Sequence, residues 1–336
     1  MNRIHFLAAL LLCSGCSTIK GTKLWAPEWF DMEPIATRVF VDKEMPAAQR
    51  KRALELVAES EQRLARHYGD VASTPKLFFC STEAIANKEI TDFDGRKLEH
   101  ASAGEGQPLI VFISGGGPAD MDSWGKVYPE ARSISKVFAY NRFGDGHSDQ
   151  VAEAQTGAKV VATLRELLQR SGFTPPYVLV GHSLGGLYAN LFARLHPREV
   201  AGIVLVDSSH PDQGEMMRNP GMIWGVINGA IQKLYATINP TKFSEIAVFD
   251  ETASQVKNAG PFPDVPLAVI TAGKRFTLLA SDKMIQTVDD HQRDLAAMSP
   301  QGQQIIAERS GHFVQNDQPE VVIRAILEVV EQTRLR

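Results

Sequence analysis

A serine set between glycines, in Gly181-His182-Ser183-Leu184-Gly185, is the strongest chemical signal in this chain. It follows the apolar run Tyr177–Val180 and opens a stretch patterned as a helix. Glycine on either side allows a sharp turn and a close approach of strand and helix, so that the hydroxyl projects above a sheet. Gly186 relieves the same crowding one residue further on. A serine hydroxyl is a poor nucleophile until a base removes its proton during attack. His312, in Ser310-Gly311-His312-Phe313, is the candidate base, because it lies between the last expected strand and the last expected helix. That placement brings it to the same sheet edge as Ser183, and Gly311 frees the backbone for the ring to reach inward. His67, His100, His147, His196 and His291 read as structural. There is no His-Glu-x-x-His, no paired cysteines after residue 16 and no close carboxylate cluster around a histidine, so neither a metal nor a cofactor is expected.

These residues need a scaffold, and the pattern from about residue 91 supplies one. Short continuous apolar runs fall at Leu109–Ile113, Val137–Tyr140, Val178–Val180, Ile203–Val206 and Leu267–Ile270, with a further strand at Gln304–Glu308. Helical stretches separate them at Gly157–Ser171, Leu184–His196 and Asp282–Met298, and a last one spans Pro319–Arg334. Continuous rather than alternating strands are buried on both faces, so the fold class is α/β, a mostly parallel sheet covered by helices on both sides. Residues 208–265 break the rhythm. Met216, Met217, Ile223, Trp224, Val226, Ile227, Ile231 and Leu234 have helix-compatible spacing there, which reads as a cap over the strand ends. Ahead of residue 91, a short strand at Arg38–Val41, a helix from Pro46 to about Tyr68 and a strand at Leu77–Cys80 make a small α/β unit over 35–90, to which no function is assigned.

Four separated motifs, in order, resemble those of the α/β-hydrolase superfamily over roughly residues 90–336. Ser114-Gly115-Gly116-Gly117-Pro118 with Trp124 resembles the family's His-Gly loop, with Ser in place of His. Asn141-Arg142-Phe143-Gly144-Asp145-Gly146-His147-Ser148 resembles its Asp-Arg-x-Gly-x-Gly-x-Ser loop, with Asn first. The other two are the Ser183 turn and Gly311-His312-Phe313 with Asp317-Gln318-Pro319 downstream. The resemblance implies an oxyanion hole from the N–H groups of Leu184 and Gly116. A phosphate-cradling loop at Ser114–Gly117 would need the Gly-Lys-Ser/Thr ending that is missing here. It also implies an acid to orient the histidine. No carboxylate follows Leu267–Ile270, where most members carry it. Some members take it from the end of the preceding strand, and Asp207 occupies that place, with Asp282 in reserve. An alternative for Asp207 is to organise the loop below the cap.

The start of the chain reads as a leader. Arg3 precedes the apolar run Ile4–Leu12, too short to span a bilayer, and then Cys13-Ser14-Gly15-Cys16. The segment resembles a bacterial lipoprotein signal, with Cys13 where that family usually has Leu. The resemblance implies a signal over 1–16, lipidation of Cys16 and, with Ser17 next, a residue that permits sorting to an outer membrane in the cell envelope. Residues 17–34, rich in Trp, Pro and Gly, read as a tether or an ordered arm. A plain cleaved signal or an uncleaved anchor are the alternatives. After processing only Cys80 would remain, a small apolar residue by its setting, so no intramolecular disulfide is expected.

The whole chain has 336 residues, 44% of them hydrophobic and 22% charged, with a net charge of −4. That is ample for a core and gives no reason to expect nucleic-acid binding; Arg50-Lys51-Arg52 reads as a solvated helix end. The expectation is a serine hydrolase that cleaves a small-molecule carboxylic ester with a hydrophobic portion, since Met and Trp in the cap make adaptable apolar walls. Serine at the turn argues against dehalogenase and epoxide-hydrolase chemistry, for which related sheets carry Asp. One rival is an aminopeptidase or amidase using the same residues, with Asp212, Glu215 and Glu245 gripping a substrate amine. The other is a lipid-anchored, non-catalytic binding protein.

Overall fold

A computed structural model describes residues 85–117, 119–214, 239–274 and 282–335. The expected signal and tether, almost all of the small N-terminal unit, Cys16, Cys80 and the apolar run Met216–Leu234 lie outside these residues. The described residues form an eight-stranded sheet in the order β1-β2-β4-β3-β5-β6-β7-β8. The strands are β1 (Glu89–Phe93), β2 (Arg96–Ala103), β3 (Leu109–Ile113), β4 (Val137–Tyr140), β5 (Tyr177–His182), β6 (Val200–Val206), β7 (Leu267–Ala272) and β8 (Gly302–Ala307). β1 and β2 are antiparallel to each other, β2 is antiparallel to β4, and the other pairings are parallel. Strand order reverses around β3, so the loops after β3 and β5 open side by side at the carboxyl edge. Ligands bind at such a switch point in open α/β sheets.

Helices are α1 (Tyr128–Ile134), α2 (Gly157–Arg170), α3 (Leu184–Leu195), α4 (Pro240–Ala247), α5 (Phe249–Asn258), α6 (Asp282–Ala296), the short α7 (Val314–Asp317) and α8 (Pro319–Arg334). Alternate residues of the apolar strands serve opposite faces. Leu109, Val111, Ile113 and Leu179 join a core under α2, α3 and α5. Ile110, Phe112, Val178 and Val180 join a second core under α1 and α8. Two buried faces explain why these strands read as unbroken hydrophobic runs. Helix α8 starts with Pro319 at its first turn and buries Val322, Ala325, Ile326, Val329 and Val330, the i, i+3, i+4, i+7, i+8 stripe of a helix packed on one side.

The six parallel-region strands and four long helices fall where the sequence places them, within a few residues at their ends. The β1–β2 hairpin does not figure in that reading, and the boundary drawn between residues 90 and 91 falls inside β1. A signal for it exists: Asp94-Gly95, with φ of 55° and 79°, forms a two-residue turn joining Phe93 to its partner Arg96. Asp-Gly between strands favours such a turn because both positions need positive φ. Helix α1 is likewise an addition. Within the stretch expected as a cap, α5 packs against α2 and α3 in the layer that covers the sheet. Its residues Phe249, Ala253 and Val256 form an apolar stripe that the main core takes up, so this part of the stretch is scaffold.

Candidate active site

Ser183 stands between the end of β5 and the start of α3 with φ 51° and ψ −122°, a conformation that costs a non-glycine residue energy. The neighbours hold it there. Its N–H donates to Val206 O at 3.1 Å, and its carbonyl accepts from Ser209 N at 3.0 Å and Gly186 N at 2.9 Å. Gly185 has no room for a side chain: a Cβ would stand 2.2 Å from Ile113 O and 2.4 Å from Ser114 O. A Cβ at Gly186 would lie 2.6 Å from the Cβ of Ser208. The turn that exposes Ser183 therefore depends on close approach to β3 and to the loop after β6.

Asp207 follows β6 immediately and also has positive φ, 38°. Its N–H donates to Ile270 O at 2.7 Å, tying it to β7. Its Oδ1 accepts from Ala272 N at 3.0 Å, and its Oδ2 accepts from Nδ1 of His312 at 2.7 Å. A carboxylate from the end of β6 thus reaches over the end of β7, where no acidic residue stands. With the proton on Nδ1 directed at Asp207, Nε2 is the basic nitrogen of His312. Both side chains are nearly buried. Asp282, the reserve acid, opens α6.

The histidine loop is pinned from two sides. Asp317 Oδ2 accepts from Gly311 N at 3.0 Å, and Nε2 of His182 lies 2.9 Å from the carbonyl of His312, to which it donates. The His182 and His312 rings are 4.6 Å apart between centroids. Burial, reinforced by the charge of a protonated His312, pushes the His182 pKa down to about 3, so His182 stays neutral. The sequence alone assigns His182 no role. It sits inside the serine motif, where only the fold reveals that its ring faces the loop of the base.

Gly116 and Leu184 are also brought together. A Cβ on Gly116 would stand 3.0 Å from Leu184 Cδ2, and one on Gly115 would stand 3.4 Å from the Cβ of Ser183. Leu184 is the first residue of α3, so its N–H has no acceptor within the helix. The loop after β4 lies behind this site. Asn141 donates from Nδ2 to Glu99 Oε2 at 2.5 Å and accepts at Oδ1 from Met121 N at 2.8 Å. Glu99 of β2 also lies 2.6 Å from Nδ1 of the exposed His147. The carboxylate that the loop motif lacks at Asn141 is therefore supplied from the neighbouring strand.

Of the acidic residues considered for an amine site, Glu245 is fully buried against Arg142 and Asp212 pairs with Lys257; Glu215 lies outside the described residues. Among the described residues no group of three or more His, Cys, Asp or Glu is disposed to hold a metal ion. The structure thus places Ser183 directly after β5, the hydrogen-bonded pair Asp207 and His312 after β6 and β8, and the backbone of Gly116 beside Leu184.

A sheet of this order, with a serine turn after its fifth strand and a histidine after its eighth, defines a class, and comparison with known proteins agrees. The chain belongs to the alpha/beta hydrolase family, whose model matches residues 110–325. It is 26% identical to the Bacillus subtilis protein YqjL over 220 residues, 66% of this chain and 82% of that one. It is 30% identical to YbdG of the same organism over 125 residues, 37% of this chain and 38% of YbdG. Among solved structures it resembles a thermophilic esterase from Thermogutta terrifontis (TM-score 0.53, 22% identity, 74% of this chain and 99% of that one). It also resembles an epoxide hydrolase from Vigna radiata (TM-score 0.57, 17% identity, 73% and 98%). At these identities the structural likeness speaks for the fold.

Proposed function

We propose that this protein is a serine hydrolase that cleaves carboxylic esters with a hydrophobic portion through an acyl-serine intermediate. The observation that carries the reading is the 2.7 Å pairing of His312 with Asp207 at the sheet edge where Ser183 is held in a strained turn. In the reaction Ser183 Oγ attacks the ester carbonyl carbon while His312 Nε2 takes its proton. Asp207 holds the imidazole in the required tautomer and stabilises the imidazolium. Negative charge collects on the former carbonyl oxygen, facing the N–H groups of Gly116 and Leu184. The intermediate collapses, the alcohol leaves with the proton from His312, and water then repeats the sequence on the acyl-serine.

Ester cleavage is favoured over attack on an amine-bearing substrate because two of the three carboxylates that would bind the amine are held by cations. Serine in place of an elbow aspartate favours it over epoxide opening, despite the epoxide hydrolase among the structural neighbours. The preference for a hydrophobic portion rests on the Met- and Trp-containing run 216–234. The Cys13-Ser14-Gly15-Cys16 segment supports attachment to a membrane through lipid on Cys16.

The test is fluorophosphonate labelling of the protein lacking residues 1–16, with the modified residue located by mass spectrometry. Modification at Ser183 that disappears in folded His312→Ala is the expected result, followed by turnover of p-nitrophenyl esters in a chain-length series. A folded protein that neither labels nor turns over any of these esters would sink the proposal in favour of a binding role.

A further inference from the structure

We propose that Arg142 is a positioning residue for the oxyanion loop, held to that task by Glu245; this rests on the serine-hydrolase reading above. Arg142 follows β4 and is 3% exposed, and Glu245 of α4 is 0% exposed. The guanidinium divides its donors between two jobs. Nε and Nη2 grip Glu245 at 2.7 and 3.0 Å, while Nη1 donates to Ser114 O at 2.8 Å and Nη2 donates to Gly115 O at 2.6 Å. These two carbonyls lie just beyond the end of β3, where the sheet no longer supplies partners.

Holding Gly115 O fixes Gly116 N–H. The peptide linking them is planar and trans, so its N–H points opposite to its C=O. Pulling the oxygen toward the guanidinium turns the N–H away from it. The positive charge on the carbonyl side also polarises the peptide and strengthens the N–H as a donor. The side chain that aims the donor therefore never touches the substrate.

The far end of the same loop is held from the same helix. Lys242 of α4, fully buried, pairs with Asp145 and donates to Ala119 O at 3.3 Å. Helix α4 thus grips residues 114–119 at both ends, through Arg142 and through Lys242. Burying four charges is expensive, and apolar residues of similar volume would often hold two surfaces together as well. What apolar residues could not do is bind two adjacent carbonyls and set a peptide plane. Lysine could not do it either, because a compact ammonium lacks the planar fork needed to reach both carbonyls and the carboxylate together.

The experiment compares wild type, Arg142→Lys, Glu245→Gln and the double variant Arg142→Met/Glu245→Met on p-nitrophenyl butyrate, with circular dichroism as the check of folding. In Arg142→Lys, kcat falls by about 10²-fold, the loss seen when one oxyanion donor is removed, while KM stays within about twofold. Glu245→Gln keeps Arg142 but loosens its tether and loses about tenfold in kcat. If Arg142→Lys does not fold, the double variant, which leaves no orphan charge of that pair, carries the test with the same expected loss. A folded Arg142→Lys or double variant with kcat within about threefold of wild type overturns the positioning role, as does a loss expressed in KM alone. A wild-type protein that neither turns over the ester nor labels with fluorophosphonate marks failure of the hydrolase reading itself, and the positioning role falls with it.

Discussion

At the scale of single residues, the proposed reaction gives separate tasks to Ser183, His312 and Asp207, and their substitutions should differ accordingly. Ser183→Ala removes the nucleophile and should abolish turnover of p-nitrophenyl esters and fluorophosphonate labelling. Asp207→Asn keeps the volume but disturbs the tautomer of His312, so kcat should fall by about 10³–10⁴-fold with the fold retained. Asp282→Asn should leave kcat within about twofold; a large loss there would move the acid to α6. His182 offers a different measurement. Its proton is taken up near pH 6.5 in the unfolded chain and only near pH 3 in the folded one. Between those values the unfolded state holds the extra proton, so stability falls as the pH is lowered, by up to about 1.4 kcal/mol per pH unit for this group. His182→Gln can keep the donor to His312 O without titrating. Urea unfolding between about pH 6 and pH 4 should show a shallower decline for that variant. Ser183, His312 and Asp207 were legible in the sequence because glycines, strand ends and chain order mark their places. Arg142 and His182 were named only as members of motifs, since their work consists of contacts with carbonyls distant in sequence.

At the scale of elements, the turn after β5 depends on β3 as much as on its own residues. A methyl group at Gly185 meets backbone oxygens of Ile113 and Ser114, which cannot swing aside as a side-chain end would. Gly185→Ala should therefore cost about 3 kcal/mol in denaturant unfolding, the upper part of the range for overpacking, and should depress activity even where the protein remains folded. The central strands and the long helices were readable because each carries one dominant period or one unbroken apolar run. The β1–β2 hairpin was not, although Asp94-Gly95 marks it. Its strands carry Glu89, Asp92, Lys97, Glu99 and His100 at a sheet edge, so no apolar run announces them. The compensation at Asn141 was out of reach for a related reason. Glu99 acts there from β2, a strand without an apolar run to mark it, across 42 residues of chain.

At the scale of the whole molecule, the charges buried between α4 and the loops after β3 and β4 join a helix from beyond residue 238 to the body of the sheet. Attachment to a membrane belongs to this scale as well. If Cys16 carries lipid, the wild-type protein expressed with its leader should enter the detergent phase of a Triton X-114 separation, and Cys16→Ser should move it to the aqueous phase. Aqueous partition of both would remove the anchor. The bonds around the site carry one more consequence. Ser183 N–H is bound to the end of β6, Asp207 N–H to β7, and Ser209 N–H to Ser183 itself. Two of the groups that would perform the chemistry, Ser183 and Asp207, are thus stitched into the sheet's own hydrogen-bond ladder. Their amides should be among the slowest to exchange with heavy water, opening only with the sheet. On heating, the turn at Ser183 and the seat of Asp207 should therefore hold until the sheet itself unfolds.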